Sequence, residues 1–507
     1  MFADRENAYE RFQIWVRKGD VWRPEGGHHL DPESFQVISA VHEHRRAADS
    51  RDLLGHTTTV ARRYDTSVAR GVVGASGAHD LRGCRYAGDD QVVRIAPGVR
   101  VELPKIISVD DHVVEPAHVW QTWLPTKFRE KGPRVERKRW GAFRLRKGAK
   151  YEMTEDPEGE WGDAWIYEDK VIYVQKKFVA IPKAATDGDD LSTFDKTVMT
   201  MTATTYDDMR PGCFDAKERK KDFEVNWVDG SLPFPTFPRF CGQTFHEADD
   251  RELALACVQA YNDWMVEEWC DPSIGINIPL GIMPLWDAEL AAQEIRRNAE
   301  RGVRAVCFSE LPTKLDLPSV HTGYWDPMLA ECDETGTTLC MHVGSSSTDP
   351  FSSKDAPPGV GSMVGFNNSM ASLGDFLFGG IMHRFPKLKI AYSEGQIGWL
   401  PYALERADTV WEEHNAWQNS KRLCPEPPST YYYDRVFGCF TWDRHGVRSL
   451  DEVGENNICF ETDYPHTDTT WPNSKDYCEK MLEGVADEQR YKILRGNAIR
   501  MLELDRV

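Results

Sequence analysis

From Lys105 to the C-terminus, short apolar runs alternate with longer segments of helical period. No other feature of the 507-residue chain constrains its fold as tightly. The runs KIISVDDH (105–112), SLPFPT (231–236), GINIPLGIMPL (275–285) and VRAVCFSE (303–310) read as strands, as do TTLCMHVG (337–344), LKIAYSEG (388–395), RVFGCF (435–440) and NNICFETD (456–463). Amphipathic segments over 252–269, 288–302, 326–336, 372–385, 399–417 and 486–504 read as helices. Eight strands separated mostly by helices predict an α/β fold of parallel strands, a (β/α)8 TIM barrel. A doubly wound sheet is the rival, but no GxGxxG follows the first strand, so the dinucleotide fingerprint is missing.

Two regions fall outside the alternation. Residues 1–100 carry fourteen Arg, one Lys and fourteen acidic residues with no sustained apolar period. They read as an N-terminal extension, poorly ordered or packed as an arm, before a barrel over 101–507. Residues 129–210 are polar and Gly-rich with short alternating pieces such as WIYEDKVIYV (165–174), and read as an insertion of small strands and long loops. The net charge of -20 argues against nucleic-acid binding. No run approaches the length of a transmembrane helix, and the charged N-terminus lacks the apolar core of a signal peptide. Twelve cysteines without a CxxC pair fit reduced thiols in a cytoplasmic protein.

In a barrel of this kind the chemistry sits where strands end. The first strand ends in Asp110-Asp111-His112; residues two apart share a side, so Asp110 and His112 can converge while Asp111 faces away. The fifth strand ends in His342, and the eighth in Asp463, on the face it shares with Cys459 and Glu461. Singly, each has an ordinary role available: a hydrogen-bonded turn, a core histidine, a helix cap. Together, two imidazoles and two carboxylates make a mixed N/O set that suits Zn²⁺ or Mn²⁺ and leaves a position for water or substrate.

These residues also carry a resemblance. The segments ISVDDHVVEP (107–116), AYNDWMVEEW (260–269), YWDP (324–327), MHVGSS (341–346), SEGQIGWLPYALERAD (393–408), ETDYPHTDTTWP (461–472) and GNAIRMLEL (496–504) resemble the amidohydrolase-related family that includes aminocarboxymuconate-semialdehyde and gamma-resorcylate decarboxylases. The resemblance covers about four-fifths of the chain and implies a metal-dependent barrel with Asp110, His112, His342 and Asp463 as ligands of one divalent metal, Zn before Mn. It also implies a homodimer. One departure stands out: where decarboxylases of the family carry a His at the end of the sixth strand, this chain has Glu394.

Glu394 can act as general base, or as acid if burial raises its pKa, or it can be structural. His466, three residues past Asp463, is a second proton-transfer candidate or an orienting residue, and Asp463 itself a candidate base. For a small organic acid as substrate, Arg239 and Arg406 are candidate carboxylate partners, each with a surface ion pair as the plainer reading. Trp399 and Trp471, with Phe234, Phe237 and Trp442, would form an aromatic rim or simply pack under loops. The expected reaction is non-oxidative decarboxylation of an aromatic or ring-cleaved carboxylic acid. The alternative is hydrolysis of a C–N, ester, lactone or C–C bond by a metal-bound hydroxide, and a barrel that binds without catalysis is a third reading.

Overall fold

Residues 102–504 are described by a computed structural model, apart from 147–149, 180, 187–190, 192–193, 199, 201 and 354. Two short N-terminal strands, Trp15–Lys18 and Val21–Pro24, are also described and pair antiparallel. The rest of the 1–100 extension lies outside the described residues. Contacts divide the chain into Met1–Arg94 and Ile95–Val507, and the second unit holds everything that follows.

Strand β1 (Ile106–Val113) is buried along its whole length. The insertion comes next as an antiparallel sheet of β2 (Arg134–Arg146), β3 (Lys150–Glu155), β4 (Glu160–Tyr167) and β5 (Lys170–Tyr173), in the order β3-β2-β4-β5. It is more regular than loops with small strands. Asp163 explains part of that: it accepts from Arg137 Nε and Nη2 at 2.8 and 3.0 Å and from the Tyr206 amide at 2.8 Å, tying the sheet to the chain that leaves it. Helix α1 (Ala216–Val225), capped by Asp215, precedes β6 (Val228–Pro235), which pairs parallel with β1.

After β6, helices and parallel strands alternate. Helix α2 (Arg251–Trp264) starts at Asp250, whose carboxylate accepts from the Leu253 amide, and buries Leu253, Cys257, Tyr261 and Trp264 on one face. It ends in a π-helical turn over Met265–Trp269 rather than continuing as α-helix. Strands β7 (Ala305–Phe308), β8 (Thr338–His342), β9 (Ile390–Ser393), β10 (Val436–Phe440) and β11 (Ile458–Phe460) form one parallel sheet in chain order, every residue buried. Helices α3 (Ala288–Ala299), α4 (Asp326–Thr335), α5 (Asn367–Phe378) and α6 (Leu400–Glu413) separate them. Burial on both sides is why these strands read as unbroken apolar runs.

Two expectations needed correction. The run 275–285 is no strand: it makes only isolated parallel bridges, Asn277 to Ser231 and Gly281 to Val306. Pro279 and Pro284 lack the N–H a ladder needs, and the side chain of Asn262 takes its place by donating to Ile282 O and accepting from Ile282 N. The helix expected over 372–385 breaks after Phe378, because Gly380 adopts a left-handed conformation (φ 70°) before a short turn at Ile381–Arg384. Beyond β11 the chain bonds back to β1: Asp463 N donates to Asp110 O at 2.9 Å and His112 N to Tyr464 O at 2.6 Å. The eleven cysteines among the described residues are free, and no described helix is long and apolar enough to cross a membrane.

Candidate metal centre

The C-terminal ends of β1, β8, β9 and β11 bring five of the expected residues to one point. His112 Nε2 lies 3.5 Å from Asp110 Oδ1 and 3.4 Å from Asp463 Oδ1. His342 Nε2 is 3.2 Å from Asp110 Oδ2, 3.2 Å from His112 Nε2 and 3.7 Å from Glu394 Oε2. His466 Nδ1 is 3.1 Å from Asp463 Oδ1, and its ring stacks on His112 with centroids 3.4 Å apart. Asp110, His112, His342, Asp463 and His466 are all buried.

The backbone aims these groups. A register shift between Ser108 and Asp111 interrupts the β1–β6 ladder just before His112. Asp111 does face away, accepting from Ser231 Oγ at 2.7 Å, Thr462 Oγ1 at 2.5 Å and the Tyr464 amide at 2.9 Å. Glu394 (φ 54°) and Asp463 (φ 52°) both sit in the left-handed region immediately beyond their strands. For non-glycine residues that costs of order 1–3 kcal/mol, a strain that collects at functional sites. Glu461, on the same strand face as Asp463, accepts the Glu394 amide at 3.1 Å and holds that turn.

The donor set fits a cation. All four carboxylate oxygens of Asp110 and Asp463 are buried with no hydrogen-bond partner among the described residues. Orphaned buried anionic oxygens are otherwise strongly disfavoured. The imidazole of His342 has its Nδ1 2.6 Å from the Val343 carbonyl, which can only accept. That bond puts the proton on Nδ1 and leaves the Nε2 lone pair facing the carboxylates, the arrangement of a metal-ligating histidine. Burial, reinforced by Glu394 and Asp463, holds the Asp110 carboxyl well above the usual range; burial and then Asp468 do the same for Asp463. Burial, with His466 and His342 nearby, keeps His112 well below the usual imidazole range and so neutral. The cluster can therefore hold one divalent cation on Asp110, His112, His342 and Asp463.

A proton count follows from these shifts. Without a cation the raised carboxyls retain protons that metal binding must displace. Manganese uptake near neutral pH is expected to release protons, and its affinity to strengthen as pH rises. Calorimetric titration in buffers of different ionisation enthalpy measures this directly, and a heat independent of buffer would contradict it.

Glu394 keeps 24% of its side chain open to the cavity while its surroundings shield it from bulk water. Burial, then the Asp463 charge, pushes its carboxyl up to about 7. Burial pushes His466 down to about 3, so its ring is neutral. The expected substrate residues behave differently. Arg239 lies in the loop beside the site but is engaged by Glu247 at 2.9 Å and by Ser347 Oγ. Arg406 is exposed on α6. Trp399 donates to Gly395 O at 2.8 Å and stacks with Phe366. Trp471 is buried, donating to Asp222 O beneath Arg210, and serves packing.

Several residues at the site were missed by sequence reasoning. Phe240 stacks on His342 with centroids 4.3 Å apart, and Phe178, from the insertion, lies 5.5 Å from the His466 ring. Asp468 joins Glu394 and Asp463 in a further group of close carboxylates. Phe240, one residue past Arg239 in FPTFPRF, carried a signal in its aromatic-rich run; Phe178 carried none.

Comparison with known proteins agrees with this centre. The profile of the amidohydrolase family matches residues 117–504. The chain shares its fold with an amidohydrolase of Mycobacterium avium subsp. paratuberculosis, at 19% identity over 78% of this chain and 99% of that one, TM-score 0.56. It is more distantly similar to the 5-carboxyvanillate decarboxylase of Novosphingobium aromaticivorans, solved with manganese (18% identity, 57% of this chain and 82% of that one, TM-score 0.48). A 2,6-dihydroxybenzoate decarboxylase from Rhizobium matches at 18% identity over 57% of this chain and 88% of that one, TM-score 0.46. With most of its length matched and a buried Asp/His cluster in place, the chain belongs to the amidohydrolase family of metal-dependent enzymes.

Proposed function

We propose that residues 101–507 form a (β/α)8 barrel whose divalent cation serves the non-oxidative decarboxylation of an aromatic or ring-cleaved carboxylic acid. The observation that carries the reading is the company of the metal cluster: an acid-capable Glu394 at the cation's side, and Phe234, Phe240 and Phe178 packed against its imidazoles. Such walls favour a planar substrate and exclude water. In the barrel, the segment 277–281 takes the place of the third strand, and the bonds from Asp463 and Tyr464 to β1 close the ring.

A divalent cation held by Asp110, His112, His342 and Asp463, zinc or manganese, would supply Lewis acidity for the substrate carboxylate. Glu394 holds the proton at Oε2. As the bond to the carboxyl carbon breaks, its electron pair stays on the substrate carbon, which takes that proton while CO₂ leaves. Glu394 is left as carboxylate and regains a proton from water. His466, neutral and stacked on His112, orients Asp463 and donates no proton at working pH. Glu394→Gln is expected to lower kcat by about 10²–10⁴-fold with manganese content unchanged. Full activity in that variant would remove Glu394 from the chemistry.

Hydrolysis is the second reading, favoured by one observation: a carboxylate, suited to deprotonating water, stands at the sixth-strand position. Mass spectrometry of products formed in ¹⁸O-water separates the two. Decarboxylation gives CO₂ and a product with no water oxygen retained, whereas hydrolysis places the label in the product.

A further inference from the structure

The insertion does more than cover the site; it brings positive charge to it. Lys196 Nζ donates to Thr469 O at 2.5 Å, on the turn that carries Asp463, His466 and Asp468. Lys177 Nζ sits 5.4 Å from the Phe178 ring, which itself lies 5.5 Å from His466. Phe194, two residues before Lys196, packs on Trp471 with centroids 5.5 Å apart, so the Lys196 segment is seated on the body. Tyr206 OH, where the insertion ends, donates to Glu115 O at 2.6 Å.

We propose that Lys196 and Lys177 of the insertion are specificity-determining residues that receive a second acidic group of the substrate, remote from the carboxylate that is lost. The proposal rests on the reading of the substrate as a planar acid, and narrows it to one with two acidic groups. Three lines support it. The arginines expected to take a carboxylate are engaged elsewhere or exposed on α6. Asp110, Glu394, Asp463 and Asp468 make the chamber acidic, so an anion beyond the cation's reach needs positive charge of its own. An ammonium has three N–H donors, and Thr469 takes one from Lys196. Lys196 is also partly desolvated, its pKa lowered by burial, which strengthens any ion pair it forms.

The test compares benzoate and isophthalate, which differ by one carboxylate, as ligands of the manganese-loaded full-length protein by calorimetric titration. Wild type is expected to bind isophthalate about tenfold tighter than benzoate, the worth of one charge-assisted hydrogen bond. Lys196→Met should erase that preference while moving benzoate affinity less than about twofold, and Lys196→Arg should keep it. Lys177→Met, which does not touch the Thr469 bond, is expected to weaken isophthalate selectively and stands in if Lys196→Met does not fold. Benzoate binding with no preference for isophthalate, or a preference untouched in both Met variants, overturns the proposal and leaves the acid-substrate reading standing. Binding of manganese but of neither acid overturns both.

Discussion

Asp463→Asn is expected to lower bound manganese and turnover by more than about 100-fold, because even a residue that only orients a metal ligand costs about 10–100-fold. The substitution is isosteric, so the turn that places it survives. Its effect on the metal-free protein should have the opposite sign. In that state Asp463 is a fully buried carboxyl with both oxygens unpartnered and its pKa raised by burial and by Asp468. A raised folded-state pKa means the folded protein binds the proton more tightly than the unfolded chain. Metal-free stability therefore falls as pH climbs from the ordinary carboxylate range toward the raised value. Removing the charge relieves this, and chelated Asp463→Asn should unfold at higher urea than chelated wild type at neutral pH, by about 1–3 kcal/mol. The pairing of lost metal with gained metal-free stability identifies a ligand; a structural aspartate would lose stability in both states. Metal analysis and urea unfolding with and without chelator read the two signs, and stoichiometric metal in the variant would move the cation away from Asp463.

Arg219→Met is expected to be the most damaging change outside the cluster, destabilising by about 3–5 kcal/mol. Arg219 lies on α1 and is completely buried. It donates to the carbonyls of Gly212 at 2.5 Å, His112 at 2.7 Å and Cys213 at 3.3 Å, while its guanidinium lies 4.4 Å from the Tyr464 ring centroid. Its charge also lowers the Asp111 carboxyl against the rise that burial imposes. Methionine fills much of the volume but leaves three carbonyls without a donor and Asp111 without its nearest counter-charge. Because His112 and Tyr464 flank the ligand positions, manganese affinity should weaken along with stability. A urea midpoint close to wild type would show that Arg219 is replaceable packing. Next to it, Asp222 accepts from Tyr464 OH at 2.6 Å and Arg210 Nε at 2.7 Å, extending the same polar network beneath the site.

The metal cluster was legible because each member stands at the end of an apolar run. A strand buried on both faces writes itself as a short hydrophobic segment, and a polar residue closing it is conspicuous: Asp110 and His112, His342, Glu394, Asp463. The same logic misled where residues lay off the strands. Arg406 sits on a helix whose rotation no local pattern reveals, and Trp471 faces inward under Arg210 rather than toward the site. The run 275–285 looked like a strand by composition, yet its prolines and the Asn262 amide gave the backbone other partners.

The sequence by itself determined the alternating strand and helix order, the strand-end ligands and the Glu394 departure, since these depend on local periodicity and residue type. The tertiary structure alone decided which groups meet. His466 stacks on a histidine more than three hundred residues away, and Phe178 reaches the same ring from an insertion that carries no local mark of the site. Whether Arg239 is taken by Glu247 was likewise settled only in space. The physical reason is that periodicity reports one segment's preference for burial, whereas convergence depends on loop paths and on competition among partners from distant segments.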